Sequence, residues 1–136
     1  PAALKSYGLP SEIAMVEGKK GMAMIQNILS DKVGQWILDG HKEARCEYSL
    51  TQIINNTYQS KVIDRTFIDK NNVRWIIDYK TGNHTGADLK TFLNNEKDRY
   101  RKQLEQYENI FKLSGETRKI KKALYYPMHK ELLEIE

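Results

Sequence analysis

Three residues in one short stretch are of types that act together in phosphoester chemistry: Asp64, Asp78 and Lys80, within VIDRTFIDKNNVRWIIDYKTG, residues 62 to 82. Side chains alternate across a strand, so Asp78 and Lys80 share one face while Ile77 and Tyr79 take the other. An acid and a base then stand side by side at the end of an apolar strand. Upstream, Val62 and Ile63 lead into Asp64, a carboxylate in a largely apolar run, where burial without a partner is costly. A metal ion shared by Asp64 and Asp78 resolves that cost for both. Magnesium prefers oxygen ligands and keeps several waters, so two carboxylates plus the backbone carbonyl of Tyr79 leave positions for water and a phosphate oxygen. Such an ion polarises phosphorus and lowers the pKa of its bound water. Lys80 can orient that water or offset charge building on the phosphate during in-line attack. A plainer account exists for the bare pattern: Asp78 and Lys80 as a solvated ion pair, and Asp64 as an exposed edge residue, since short motifs match often by chance.

The elements that must hold these residues are legible from periodicity. The stretch through Pro10 reads as irregular, and a helix is expected from about Ser11 to Leu29, weakened by Gly18 and Gly21. A short element from Gly34 to Leu38 is anchored by Trp36. Strands are expected over Arg45 to Leu50, Gln59 to Ile68 and Val73 to Lys80, the last two joined by a polar turn at Asp69 to Asn72. From Asp88 to Leu113, residues Leu89, Phe92, Leu93, Tyr100, Leu104, Tyr107, Ile110 and Phe111 recur on one helical face, and Gly115 can end that helix. IKKALYYPM forms another strand, stopped near Pro127, with an acidic tail behind it. Strands grouped between helices imply an α/β domain with a central mixed sheet, and no internal boundary divides residues 1–136. Gln103 and Tyr107, four apart, share the inward face, with Arg101 and Lys102 left to meet a backbone of phosphates. A Gln in that place needs a hydrogen-bond partner, and a backbone group beside an ordinary core tyrosine would satisfy it.

An Ile-Asp on one strand, a hairpin, IIDYKTG on the next, and then a helix containing YRKQLEQY together resemble the RecB-like nucleases of the PD-(D/E)xK superfamily. The resemblance is nearest to the C-terminal nuclease domain of UvrD-like helicase-nucleases, of the exonuclease V beta-subunit or AddA type. It runs from about Gly34 to Met128 and draws its specificity from Val62 to Tyr107. It implies a restriction-endonuclease-like core and a Mg²⁺-dependent exodeoxyribonuclease acting in DNA recombination and repair, with Mn²⁺ as a substitute metal. Asp64 and Asp78 would be metal ligands with the main chain of Tyr79, Lys80 the catalytic lysine, and Gln103 and Tyr107 the supporting QxxxY pair that contacts DNA. Glu47 resembles an acidic position ahead of the Ile-Asp strand, and a surface salt bridge explains it equally well. Partners would be DNA, an upstream helicase domain and a further subunit.

Two departures qualify the resemblance: the glycine often found two residues before the Ile of Ile-Asp has no match here, and an upstream histidine is missing. RecB-like nucleases usually carry a metal-binding histidine in an upstream GxxxH helix; none lies before Trp36, and His41 stands in a different context. The expectation is a C-terminal fragment of a larger helicase-nuclease that folds but cleaves weakly alone, with a catalytically incomplete DNA-binding or scaffold module as the alternative. No GxxxxGK loop occurs, so any motor belongs to a segment upstream.

Composition sets outer bounds. Hydrophobic residues make up 40% and charged residues 29%, the balance of a folded globular domain. No apolar run approaches a membrane span and no signal peptide is visible, which points to a cytoplasmic protein. Cys46 is the single cysteine and is expected as a buried free thiol; His41, His84 and His129 form no zinc spacing with it. Lys and Arg exceed Asp and Glu by 22 to 18, too slight an excess to identify a partner, so the clusters at 97–102 and 118–122 matter more.

Overall fold

A computed structural model describes residues 18–82 and 88–136. The elements run α1 (Gly18–Ser30), α2 (Lys32–Leu38), β1 (Lys42–Ile54), β2 (Thr57–Ile68), β3 (Arg74–Tyr79), α3 (Leu89–Leu113), β4 (Ile120–Tyr126) and β5 (Glu131–Ile135). The irregular stretch through Pro10, the expected helix over residues 11–17 and His84 lie outside the described residues. No described helix is long and apolar enough to cross a membrane.

The five strands form one mixed sheet in the order β1-β2-β3-β4-β5. Neighbours are antiparallel except β3 and β4, which pair in parallel across the α3 connection. This is the expected α/β class with a mixed central sheet. Alternation along β3 and β4 divides the core in two. Phe67, Trp75, Ile77, Tyr79, Ala123 and Tyr125 face Met24 and Ile28 of α1 and Ile37 of α2. Ile63, Ile76, Leu124 and Tyr126 face Leu104, Tyr107, Ile110 and Phe111 of α3. Both faces of β3 are covered, so all six of its residues are buried.

Local chemistry explains the boundaries. Asp69 holds the β2–β3 turn: its carboxylate accepts the amides of Asn71 and Val73 and the Trp75 indole N–H. Asp31 caps α2 by accepting the Gly34 amide at 3.2 Å. A side chain at Gly34 would bring a Cβ within 2.3 Å of the Ile28 carbonyl oxygen, so the α1–α2 corner needs glycine there. The Tyr125 hydroxyl donates to the same Asp31 carboxylate at 2.7 Å and ties that corner to β4. At the far end of α3, Gly115 takes φ +103° and ends the helix as expected.

Three expectations need correction. The first strand is longer than Arg45–Leu50, because Asn55 and Asn56, both at positive φ, turn it tightly into β2. The acidic tail is strand β5: Ile135 is buried, while Glu131 and Glu134 are exposed at an edge. Cys46 is half-buried rather than buried, since it lies on the outermost strand.

Candidate active site

The antiparallel ladder between β2 and β3 ends at Arg65 opposite Ile77, so Asp64 and Asp78 are the next residues beyond the last pair on the two adjoining strands. There the Asp64 carboxylate accepts the Tyr79 amide N–H at 3.0 Å. Asp78 forms an ion pair with Lys80 at 2.8 Å. Both carboxylates are buried, Asp64 at 9% exposure and Asp78 at 6%. They therefore lie beside each other on adjoining strands, in a setting where water screens little.

Helix α3 covers this place from one side. It lies along β3 with its last turns near the strand's start: Phe111 meets the Arg74 guanidinium, and Tyr100 meets Lys80. Tyr107 falls between them. Its phenol accepts a hydrogen bond from Gln103 Nε2 at 2.6 Å, a side chain in place of the backbone partner that was open from sequence. Burial pushes the Tyr107 phenol above its usual range, and the charges of Asp78 and Asp64 push it further, against the opposing effects of Gln103 and Lys80. That phenol is within electrostatic reach of both carboxylates and the lysine, and α3 meets the three residues directly through the Tyr100 ring on Lys80.

The other candidates stand differently. Glu47 is exposed at φ +49°, between the paired positions Cys46–Arg65 and Tyr48–Ile63, and so lies across the ladder from Asp64. Among the described residues, no group of three or more His, Cys, Asp or Glu converges on a point able to hold a metal, so Glu47 does not complete such a group. Tyr79 reaches the site through its main chain alone. Its ring packs on the opposite face, edge-on to Tyr125, and its buried hydroxyl has no hydrogen-bond partner among the described residues. Burial raises that phenol well above the ordinary tyrosine range.

The two basic clusters separate. In the later one, Arg118 bonds Asn72 and Glu116, Lys122 bonds Glu108 at 2.6 Å, and Lys121 sits 3.8 Å from Glu134. That cluster is engaged in holding the fold. The earlier one flanks Tyr100 on α3: Lys102 is exposed, while Arg99 and Arg101 make helical pairs with Glu96 and Asp98. Arg101 is thus paired rather than open, although such exposed pairs are weak and easily exchanged for a phosphate. Tyr100 was legible only as one apolar position of a helical face. Its spacing, three before Gln103 and seven before Tyr107, was the signal that it shares their face.

No protein-family model matches this sequence, and no curated protein matches it.

Proposed function

We propose that this chain is the core of a Mg²⁺-dependent DNA nuclease of the PD-(D/E)xK kind, hydrolysing phosphodiester bonds. The observation that carries the proposal is the Asp64 carboxylate set against the Tyr79 amide beside the Asp78–Lys80 pair, with α3 over them through Tyr100. Two buried carboxylates on adjoining strands, with the Tyr79 main chain between them, suit a hard cation that retains most of its waters. The element order, with a long helix between the third strand and a parallel fourth, is compatible with a restriction-endonuclease-like core.

When bound, magnesium supplies a polarised phosphate and a water of lowered pKa. Asp64 and Asp78 would hold it, with the Tyr79 carbonyl. Lys80 holds its ammonium at Asp78, where it can orient the attacking water and meet negative charge growing on the phosphate. Tyr107 accepts the Gln103 amide hydrogen, which leaves its own hydroxyl proton to donate to a phosphate oxygen. The exposed basic residues around Tyr100 lie on the helix that carries this pair and can contact the DNA strand as it arrives. The proposed substrate is a DNA strand supplied by an upstream helicase domain during recombination or repair.

The test is cleavage of labelled single-stranded DNA with Mg²⁺ or with chelator, by residues 1–136 and by a chain extended at its N-terminus. Strong cleavage by the longer chain and weak cleavage by the shorter one are expected, with Asp78→Ala and Lys80→Ala abolishing both while the circular dichroism spectrum is retained. Activity that survives both substitutions would overturn the proposal. Binding of DNA without any cleavage, even by the longer chain, would leave a scaffold module in its place.

A further inference from the structure

The nuclease proposal uses Lys80, but Asp78 alone does not fix where its ammonium sits. A lysine has four rotatable bonds, and one ion pair constrains only the distance from Nζ to an oxygen. The second constraint is on α3: Lys80 Nζ lies 3.7 Å from the centroid of the Tyr100 ring, well inside cation–π range. Lys80 and Asp78 are both largely shielded, their side chains 19% and 8% exposed. In such surroundings the face of the ring attracts the ammonium more strongly than it would at an open surface. Tyr100 is itself half-buried and packed against the α3-side core, so the ring is held by the fold rather than by the lysine.

We propose that Tyr100 is the positioning residue for Lys80: its ring and the Asp78 carboxylate together fix the ammonium beside the paired carboxylates. The inference rests on the nuclease proposal for its consequence in catalysis, but the contact itself can be measured without any activity. The ring face supplies the interaction, so the hydroxyl is dispensable. Phenylalanine should therefore replace Tyr100, and leucine, similar in apolar character but without a π face, should not.

The experiment compares Tyr100→Phe and Tyr100→Leu in two readouts. In protein labelled with ¹³C at the lysine ε position, the Lys80 ε-methylene proton resonance, assigned by its loss in Lys80→Arg, should lie upfield in the parent and in Tyr100→Phe. It should return to the ordinary lysine position in Tyr100→Leu, whose other resonances report that the fold is kept. In Mg²⁺-dependent cleavage, Tyr100→Leu should lower kcat about 10-fold with little change in KM, and Tyr100→Phe should stay within about twofold of the parent. An unshifted Lys80 resonance in the parent, or full kcat in Tyr100→Leu, overturns the inference. If Tyr100→Leu does not fold, the parent spectrum and Tyr100→Phe still decide: an unshifted resonance in either, or a Tyr100→Phe as slow as Lys80→Ala, rejects the ring as the support. A parent that shows the upfield resonance but cleaves no DNA, even when extended, establishes the contact and rejects the nuclease proposal instead.

Discussion

Two clusters of charge lie under α3, at opposite ends of β3, and they are built on different principles. At the strand's start, Arg74 is enclosed by its partners: Nε bonds Glu116 at 2.9 Å, one terminal nitrogen meets Glu43 at 3.3 Å, and the guanidinium stacks on Phe111. Arg118 adds a second cation to Glu116 at 3.0 Å. Cations and anions there are matched two to two, and the groups occupy each other. At the strand's end, Asp64 and Asp78 stand together with Lys80, and the carboxylate of Asp64 takes a backbone amide where the two strands meet. At the strand's start the charges close on one another and hold the fold, whereas at its end like charges are gathered on adjoining strands, the arrangement the proposed chemistry requires.

Removing one charge from each end should separate the two clusters. Asp78→Ala should lower Mg²⁺-dependent cleavage by about 1,000-fold or more, while changing stability by no more than about 1 kcal/mol, because crowded carboxylates at active sites tend to cost stability. Arg74→Ala should do the reverse: a loss of about 2–3 kcal/mol in urea denaturation, because the shielded Glu116 keeps only Arg118 as its cation. Comparable stability losses in the two variants would erase the distinction.

Gly34→Ala probes the opposite face of the sheet. The Cβ would press on the Ile28 carbonyl and the Tyr125 hydroxyl, so a loss of about 1–3 kcal/mol is expected in the same measurement, without a specific loss at the carboxylates.

A weaker effect on the site should follow Gln103→Leu, which removes the hydrogen bond to the Tyr107 hydroxyl. Cleavage should fall about 10-fold, as when supporting partners of metal ligands are lost. Unchanged kinetics would relegate the Gln103–Tyr107 pair to packing.

The smallest effect is expected from acid. Burial alone would raise the Glu116 carboxyl, but the bonds from Arg74 and Arg118 outweigh it and hold the group below its ordinary range. A depressed carboxylate contributes stability that is present above its unfolded pKa, about 4.3. That contribution should fade as pH falls through the lower folded value. A urea series from pH 6 downward should therefore show a smaller acid-dependent loss in Glu116→Gln than in the parent chain; an identical profile would remove Glu116 from the account.

How much of this could be read from the sequence depended on the range of the interactions concerned. The period of α3, its stop at Gly115, the β2–β3 turn and the meeting of Asp78 with Lys80 are local properties, and the structure shows each of them, although β3 ends at Tyr79, one residue short of the expected strand end. The meeting of Asp64 with the Tyr79 amide depends on strand register, and the seat of Tyr100 on Lys80 depends on how a 25-residue helix lies across the sheet. Neither is encoded in a short window. Strand β5 was hidden because ELLEI has charged residues on both sides of a two-residue apolar core, a pattern that suits an edge strand but also a solvated tail. The fates of the basic clusters were equally non-local: Lys122 and Arg118 find acids supplied by α3 and the loop after it.

One feature of β1 bears on how these molecules meet each other. As the outermost strand, with 13 residues, it offers a long row of peptide groups on which a second chain can add as a further strand. Glu43 and Glu47 interrupt that row, both at φ +49°, and the ladder to β2 slips where Glu43 lies. Left-handed residues kink an edge and turn its peptide groups out of line, and each kink here also carries a negative charge. The opposite edge, β5, is only five residues long and has glutamates at 131 and 134. Among the described residues, both margins of the sheet thus disfavour growth by edge-to-edge addition, and the two bent glutamates of β1 act on the longer one through backbone shape.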